Sequence, residues 1–400
     1  MSMRPSKSLV MLACTAAAIG LASAPTASAH SSNDGRPGLG HSLDARTLAS
    51  ENERHGHPGG PRTKTLTTSV VLPFQLAVSG DRVYVTDGMP ASLSVVRHGK
   101  STTLVTAPEG SDIAGVDVAD HGHTIAWGTS NADHSTTTLT IRRAGRPDVV
   151  ADLSGYEARV NPDRHQTYGI VAGGNPCAAG ILGNLTGGAA TYTGAIDSHP
   201  YSVTRIHGGW AVADAGANAI LRVSDRGAVS TIAVLPPQPV TLTSGMVSGL
   251  EGSFGVPAGS FSCLVGVTYA FEAVPTDVET GHHGRLVVST LPGGPEDPSL
   301  GARGSVYSVD MASGHSKRLA TGFLGATNVA VGEDDTIYVT EFFGGKVDRI
   351  RHGHVRTVLT GGAPLSLEAR GDSLYVGYAG QVDFQTGAVL SHGSIQRVRL

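Results

Sequence analysis

The sequence of 400 residues is poor in charge and in aromatic rings, with 16% charged and 5% aromatic residues. Its net charge is −4, which argues against a nucleic-acid-binding surface. It contains 54 glycines but no G-X-Y period, which excludes a collagen. Apolar residues make up 40% and are evenly spread, which excludes a mostly disordered chain. No segment reaches the roughly 18 apolar residues of a transmembrane helix, so no membrane span is expected.

The N-terminal segment has the pattern of an export signal. Two basic residues precede a short apolar run over 9–21, and an Ala-Ser-Ala motif ends at Ala29. This arrangement predicts a signal peptide over 1–29 with cleavage before His30. We therefore expect the protein to be secreted and extracellular.

Only three cysteines are present, and Cys14 lies within the signal peptide. The remaining pair, Cys177 and Cys263, is typical of a disulfide in an exported protein. The alternative is two separate buried thiols. Their spacing does not match a metal site built on two cysteines.

Residues 30–63 are rich in Gly, His, Ser and Pro without periodicity, and we interpret them as a disordered tail. From residue 64 to residue 400 one pattern recurs: four short strands in about 40 residues, separated by Gly-rich turns. Its most regular part is a second strand preceded by a polar turn. Examples are the segments 81–87 (DRVYVTD), 284–290 (GRLVVST) and 335–341 (DTIYVTE). Such repeats predict an all-β chain folded as a β-propeller.

We count six blades, and the sixth ends without a fourth strand. The segment from Thr65 to Val71 precedes the first blade, and we expect it to complete the last one and so close the ring. Two long loop insertions, 153–198 and 236–273, interrupt the repeat, and each carries one of the cysteines. A degenerate seventh blade around 155–198 is the alternative. We expect a monomer.

Several Pro-rich and acidic motifs are not part of a general blade pattern. They begin at Leu235 (LPPQPVT), Val274 (VPTDV), Ser289 (STLPGGPEDP) and Gly325 (GATNVAV), and they include Tyr156-Glu157 followed by Asn161-Pro-Asp163. In these motifs the chain resembles the actinobacterial ScyD/ScyE family of secreted, NHL-repeat-like β-propellers. The resemblance covers roughly residues 65–400. It implies a propeller fold and an address outside the cytoplasm, and it implies no catalytic motif.

Ring symmetry predicts where ligands would bind, because equivalent residues of successive blades converge on the axis. The second strands end at Asp87, Thr129, Asp214, Thr290, Glu341 and Tyr378, and the inner strands begin near Gln75, Gly115, Ser202, Asp277, Asn328 and Ser366. The candidate ligand-binding residues are therefore Asp87, Asp214, Asp277, Asn328 and Glu341. Their oxygen atoms suit Ca²⁺, which takes oxygen ligands. The alternative is that these side chains cap Gly-rich turns and accept hydrogen bonds from loop amides.

Two classes of function are compatible with these features. The first is a non-catalytic binding or scaffold protein that holds a small molecule, a glycan or another protein at its rim. The second is an enzyme, a cation-assisted propeller hydrolase, lactonase or lyase. The sequence has no G-x-S-x-G nucleophile elbow and no His-Glu-His channel set like that of antibiotic-lyase propellers. We therefore favour the non-catalytic interpretation.

Overall fold

A computed structural model describes residues 62–295, 298–383 and 386–400. The expected signal peptide and residues 30–61 of the expected tail lie outside the described residues. Arg62 and Thr63, which the sequence assigned to the tail, already belong to the first strand, β1 (Arg62–Val70).

Within the described residues there are seven four-stranded antiparallel sheets, and six of them, here called blades 1 to 6, form the body of the molecule. Blade 1 consists of β2 (Pro73–Ser79), β3 (Arg82–Gly88), β4 (Ala91–Arg97) and β5 (Lys100–Thr106). Blade 2 consists of β6 (Ser111–Ala119), β7 (Thr124–Asn131), β8 (Thr137–Arg143) and β9 (Val149–Asp152). Blade 3 consists of β12 (Pro200–Ile206), β13 (Gly209–Asp214), β14 (Ala219–Ser224) and β15 (Val229–Val234).

Blade 4 consists of β18 (Pro275–Thr280), β19 (Arg285–Thr290), β20 (Gly304–Asp310) and β21 (Ser316–Phe323). Blade 5 consists of β22 (Ala326–Val331), β23 (Ile337–Glu341), β24 (Lys346–Arg351) and β25 (His354–Thr360). Blade 6 consists of β26 (Pro364–Arg370), β27 (Ser373–Tyr378), β30 (Gly393–Arg399) and β1. A hairpin of β28 (Gln381–Asp383) and β29 (Ala388–Ser391) projects from blade 6.

The first strands of the six blades contact one another in the closed order β2, β6, β12, β18, β22, β26 and back to β2. These inner strands surround the axis of the ring, and the all-β propeller fold is confirmed. Apolar side chains fill the space between neighbouring blades. Between blades 2 and 3, for example, Trp210, Leu139 and Leu221 are fully buried in one cluster. Because each blade buries both faces only against its neighbours, the ring is the unit that folds.

The N-terminal strand completes the sixth blade. It pairs antiparallel with β30, from Arg62 opposite Arg399 to Val70 opposite Gly393. The outer edge of blade 6 is therefore supplied from the opposite end of the repeat, so all six blades have four strands.

The two insertions combine into a structure of their own. The first contributes α1 (Leu153–Val160), β10 (Thr167–Ala172), α2 (Pro176–Leu185) and β11 (Thr191–Thr193), and the second contributes β16 (Gln238–Thr241), α3 (Ser244–Ser253) and β17 (Thr268–Phe271). Their strands form one sheet in the order β11-β10-β17-β16. Cys177 and Cys263 form a disulfide between the insertions, with Cα atoms 6.3 Å apart. The segment 155–198, which the seven-blade alternative would use as a blade, contributes only two strands to this composite sheet.

All long connections leave the ring on one side. In each blade the first strand begins, and the second ends, on what we call the entry rim; the opposite side is the exit rim. Both insertions join the last strand of one blade to the first strand of the next, and the β28–β29 hairpin joins second and third strands. The entry rim is therefore the elaborated face of the molecule.

Candidate functional site

Every inner strand carries an irregularity at the same height. The pairing of first and second strands shifts between Pro73 and Gln75, Ile113 and Val116, Pro200 and Ser202, Pro275 and Asp277, Ala326 and Val329, and Pro364 and Ser366. Such bulges change the direction of a side chain and release backbone groups from the sheet. Here they lie at the positions from which ring symmetry predicted a convergence on the axis.

Three of these side chains do meet at the axis. The side-chain nitrogen of Gln75 on blade 1 donates to Ser202 Oγ on blade 3 and to Asp277 Oδ1 on blade 4, both at 2.7 Å. Ser202 Oγ also donates to Asp277 Oδ1. All three residues are buried. Gly115 on blade 2 allows the backbone of Ser202 to approach closely, because a Cβ atom at residue 115 would lie only 2.9 Å from that backbone.

Gln75, Asp277 and a further side chain, Asn328, accept backbone amides at the bulges of other blades. Gln75 Oε1 accepts the amide of Val116 at 3.1 Å, and Asp277 Oδ2 accepts that of Val329 at 2.8 Å. Asn328 Oδ1 accepts the amide of Leu367 at 2.8 Å. Burial raises the pKa of Asp277 to about 7, against the effect of these donors. We call these residues the axial plug, because they join the blades and satisfy backbone groups that would otherwise be buried without partners.

The carboxylates that end the second strands have another repeated arrangement. Asp87 accepts the amides of Val71 and Leu72, both at 2.8 Å. Asp214 accepts the amide of His199 at 2.6 Å, and Glu341 accepts that of Leu324 at 2.6 Å. Each carboxylate thus binds the loop that leads into its own blade, as the turn-capping alternative expected.

The five predicted site residues therefore form two groups. Asp277 and Asn328 belong to the axial plug, whereas Asp87, Asp214 and Glu341 lie under separate loops of the entry rim. Burial raises the pKa of Asp87, of Asp214 and of Glu341, and Lys346, whose Nζ is 2.8 Å from Glu341 Oε1, acts in the opposite direction on Glu341. Among the described residues, no three His, Cys, Asp or Glu side chains are grouped as metal ligands. A ligand-binding role for the five residues remains a prediction.

Above the axial plug, four rings follow one another along the entry rim. The ring centroids of Phe74 and Tyr201 are 6.0 Å apart, those of Tyr201 and His199 5.7 Å, and those of His199 and His134 4.5 Å. The two imidazoles are stacked, with 26° between their planes. Phe74 and Tyr201 stand at the bulges of blades 1 and 3; Phe74 is buried in an apolar cluster, whereas Tyr201 is partly exposed. We call these four residues the ring strip.

Each histidine of the ring strip is paired with a carboxylate. His134 Nδ1 lies 2.9 Å from Asp197 Oδ1, and His199 Nε2 lies 2.9 Å from Asp112 Oδ2. Burial lowers the pKa of His199, but the charge and hydrogen bond of Asp112 outweigh it, so that this pKa lies above its ordinary value. The side chains of His134 and Asp112 remain 14% and 28% exposed. A ligand at the mouth can therefore reach polar groups held at fixed positions beside aromatic rings.

The sequence analysis did not select the ring strip. The residues predicted from ring symmetry were those at equivalent positions of successive blades, and none of the four rings was among the predicted site residues. The signal available was local: His199 precedes the proline that opens the inner strand of blade 3, and an aromatic residue follows that proline, as Phe74 follows Pro73 in blade 1.

A second polar group lies on the exit side of the axial plug. Asp117, Glu279 and Glu368 follow the bulges of blades 2, 4 and 6 by two residues and are partly exposed. Burial and the neighbouring negative charges raise the pKa of Glu279 and that of Glu368, and burial raises that of Asp117 to about 6. This channel end was also missed. Two cations lie near it, because the charge of Arg205 lowers the pKa of Asp117 and that of Arg370 lowers the pKa of Glu368.

An open groove of about 660 Å³ lies on the exit rim between blades 1 and 2. Its lining includes the cations Arg82, Arg97 and Lys100 and the imidazole of His98, and Arg97 and His98 are both paired with Asp81, at 2.7 and 3.2 Å. The groove is open to solvent, and it lies on the side of the ring opposite the elaborated entry rim. We therefore place the candidate functional site at the entry rim.

No protein family profile matches the chain, and no curated protein matches it. Among solved structures, a putative oxidoreductase (glucose dehydrogenase) from Thermus thermophilus is 15% identical, with a TM-score of 0.50 over 85% of this chain and 100% of that chain. Virginiamycin B lyase from Staphylococcus aureus is 13% identical, with a TM-score of 0.45 over 85% and 99% of the two chains. Regucalcin from Agrobacterium tumefaciens, a calcium-binding protein, is 13% identical, with a TM-score of 0.40 over 81% and 79%. These neighbours are β-propellers, and at these identities the similarity concerns the fold alone. The ScyD/ScyE resemblance remains an expectation.

Proposed function

We propose that this protein is an exported β-propeller that binds a small molecule at the entry rim, over the ring strip, without transforming it. The observation that carries the proposal is the combination of four adjoining rings with two histidine–carboxylate pairs at the mouth of the channel. Small-molecule sites generally join aromatic surface to a few polar groups held in fixed positions.

The chemistry of the site defines the class of ligand. Tyr201 offers a partly exposed ring beside the buried ring of Phe74, and the side chains of Asp112 and Asp197 are 28% and 21% exposed. A molecule that fits has a flat apolar face and carries hydroxyl or amino groups along one edge, as a sugar ring or an aromatic amine does. The axial plug closes the floor under the site, so the ligand enters and leaves by the same rim.

Export is part of the proposal. The signal-peptide pattern predicts it, and the disulfide between Cys177 and Cys263 is compatible with an oxidising compartment. None of the helices within 62–295, 298–383 and 386–400 has the length and apolarity that a membrane crossing requires.

A second function is favoured by one specific feature, the two histidine–carboxylate pairs. A carboxylate that orients an imidazole is a common arrangement for general acid–base catalysis. With His199 as acid and His134 as base, the site would suit hydrolysis or elimination in a small cyclic ester. Ca²⁺ assistance, as in the cation-dependent alternative, would need ligands that the ring strip itself does not supply.

The test is a thermal-shift screen with monosaccharides, aldonolactones and aromatic amines. We expect at least one class to raise the melting temperature of the wild-type protein but not that of Tyr201→Ala or His134→Ala. Tyr338→Ala and His354→Ala, outside the ring strip, serve as matched controls and should respond like the wild type. A compound that stabilises both ring-strip variants as much as the wild type would place the binding site elsewhere. Consumption of a lactone, lost in His134→Ala, would favour the enzyme.

A further inference from the structure

The first insertion contains a group of oxygen-bearing side chains, Glu157, Asn161 and Asp163, that belongs neither to the ring strip nor to the axial plug. Glu157 lies in the last turn of α1, and Asn161 caps that helix, its amide donating to the carbonyl of Glu157 at 2.8 Å. Asp163 follows two residues later. Helix and cap therefore hold these three side chains within one short segment, beside the strand-ending carboxylate of blade 3.

Glu157 is the unusual member of this group. It is only 1% exposed, yet neither of its carboxylate oxygens accepts a hydrogen bond of ordinary geometry. A buried charge without a partner is strongly unfavourable, so such a group is either neutral or matched by a cation. Burial and the charges of Asp214 and Asp163 raise its pKa to about 8, and the amide of Asp197 offsets this only in part.

The side chains of Asn161 and Asp163 are held by hydrogen bonds of their own. Asn161 adopts a left-handed backbone conformation with φ of 39°, and its side-chain nitrogen donates to the carbonyl of Gly194 at 3.0 Å. Its side-chain oxygen, which faces away from that bond, is buried and has no hydrogen-bond partner. Asp163 is held through Oδ2, which accepts from Tyr168 and Asn218 at 2.9 and 3.0 Å.

The neighbourhood contains acceptors in excess of donors. Asp197 and Asp214 add negative charge. Asp197 is paired with His134, and Asp214 accepts the backbone amide of His199. The charged neighbours that act on Glu157 are all carboxylates. Carboxylate and amide oxygens without nitrogen or sulfur are the donors that Ca²⁺ prefers, at 2.3–2.6 Å and with water completing six to eight ligands.

From the buried oxygens of Glu157 and Asn161 beside the Asp163 carboxylate, we propose that the end of α1 is a Ca²⁺ site, formed by Glu157, Asn161 and Asp163 together with water. The site differs from the Ca²⁺ site expected from ring symmetry, because none of its ligands belongs to a repeated blade position. Bound Ca²⁺ would join the first insertion to blade 3, since Asp163 is tied through Asn218 to that blade. The cation would therefore stabilise the insertion that carries Asp197, the partner of His134.

The primary test is calorimetric titration of the full-length, EDTA-treated protein with CaCl₂ at pH 7.5. We expect one Ca²⁺ per chain, a melting temperature that rises with CaCl₂ concentration, and loss of both effects in Glu157→Gln. Glu251→Gln is the matched control, because Glu251 is a buried glutamate on the other insertion whose oxygens accept the amides of Gly259 and Phe261. This control should keep wild-type Ca²⁺ binding even where it lowers the melting temperature.

Two further measurements separate the site from a folding effect. Asn161→Asp adds a ligand charge, and we expect it to bind Ca²⁺ at least tenfold more tightly while melting earlier in EDTA. Tb³⁺ in place of Ca²⁺ should show luminescence on excitation of tyrosine, because Tyr168 contacts Asp163, and this signal should vanish in Glu157→Gln. Absence of heat and of a melting shift in the wild-type protein, or equal Ca²⁺ affinity in Glu157→Gln, would overturn the proposal. Glu157 would then be a protonated side chain without a metal.

Discussion

The side-chain nitrogen of Gln75 lies 2.7 Å from Oδ1 of Asp277, although the two residues belong to blades on opposite sides of the ring. Inner strands in a propeller surround a channel, but here a single glutamine crosses it and bonds the acid on the far side. The axis of this molecule is therefore closed by side chains at the level of the bulges.

Gln75→Ala removes the donor to Asp277 and the acceptor of the Val116 amide. Each buried polar group left without a partner costs about 1–3 kcal/mol, so the free energy of unfolding should fall by several times the effect of a surface substitution. Urea unfolding measures the change, and Gln396→Ala on the partly exposed outer part of blade 6 is the control. If both variants unfold at the same urea concentration, the axial plug does not stabilise the ring.

Gly115→Ala tests the space beside the plug. The added Cβ would lie 2.9 Å from backbone atoms of Ser202, which cannot move aside without shifting blade 3. We expect a loss of about 1–3 kcal/mol, the usual cost of overpacking. Gly180→Ala, in α2 with open space around it, should be neutral or stabilising by roughly 0.5–1 kcal/mol, since alanine favours helix. If Gly115→Ala unfolds at the same urea concentration as the wild type, blade 3 can shift to accommodate the added methyl group.

Truncation tests the closure of the ring. A chain beginning at Arg62 keeps every strand of blade 6 and should melt like the full-length protein. A chain beginning at Val71 lacks β1 and exposes the edge of β30, which should lower the melting temperature and promote aggregation. Light scattering and thermal melts compare the two. Equal melting without aggregation would mean that β1 is dispensable.

The buried carboxylates predict an unusual dependence of stability on pH. Burial raises the pKa of Asp117 to about 6, that of Asp277 to about 7 and that of Glu157 to about 8. Between about pH 4 and pH 8 the folded state therefore binds more protons than the unfolded state, and stability falls as pH rises. In EDTA the melting temperature should be lower at pH 8 than at pH 5, and Glu157→Gln should reduce this difference. A melting temperature that rises from pH 5 to pH 8 contradicts the prediction.

The repeat made the propeller predictable, because strand length, turn residues and spacing recur along the chain. The convergence of Gln75, Ser202 and Asp277 on the axis also follows from ring symmetry. Ring symmetry does not predict the hydrogen bonds of these side chains, because Gln75 and Asp277 also accept backbone amides that the bulges release. A bulge is a change of pairing register, and the alternation of apolar and polar residues does not reveal it.

The ring strip and the end of α1 were beyond prediction for another reason. His134 lies in the loop between β7 and β8, and Asp197 and His199 share the loop before β12. They do not recur at the equivalent positions of other blades, so the repeat contains no information about them. Glu157 lies in a helix where the repeat is interrupted, and its environment depends on how two insertions and blade 3 pack together. Local sequence determines the cap of α1, whereas the proximity of Asp214 to Glu157 depends on tertiary packing.

The pairing of β1 with β30 also sets the order of assembly. During synthesis β1 emerges before any other strand of the ring, and its partner emerges after the five intervening blades are complete. Until then the last blade lacks its outer strand, and β1 carries unpaired backbone groups that can join a foreign strand edge. Closure of the ring therefore waits for the C-terminal strand, and blades 1 to 5 have to remain in solution as an open ring until that strand arrives.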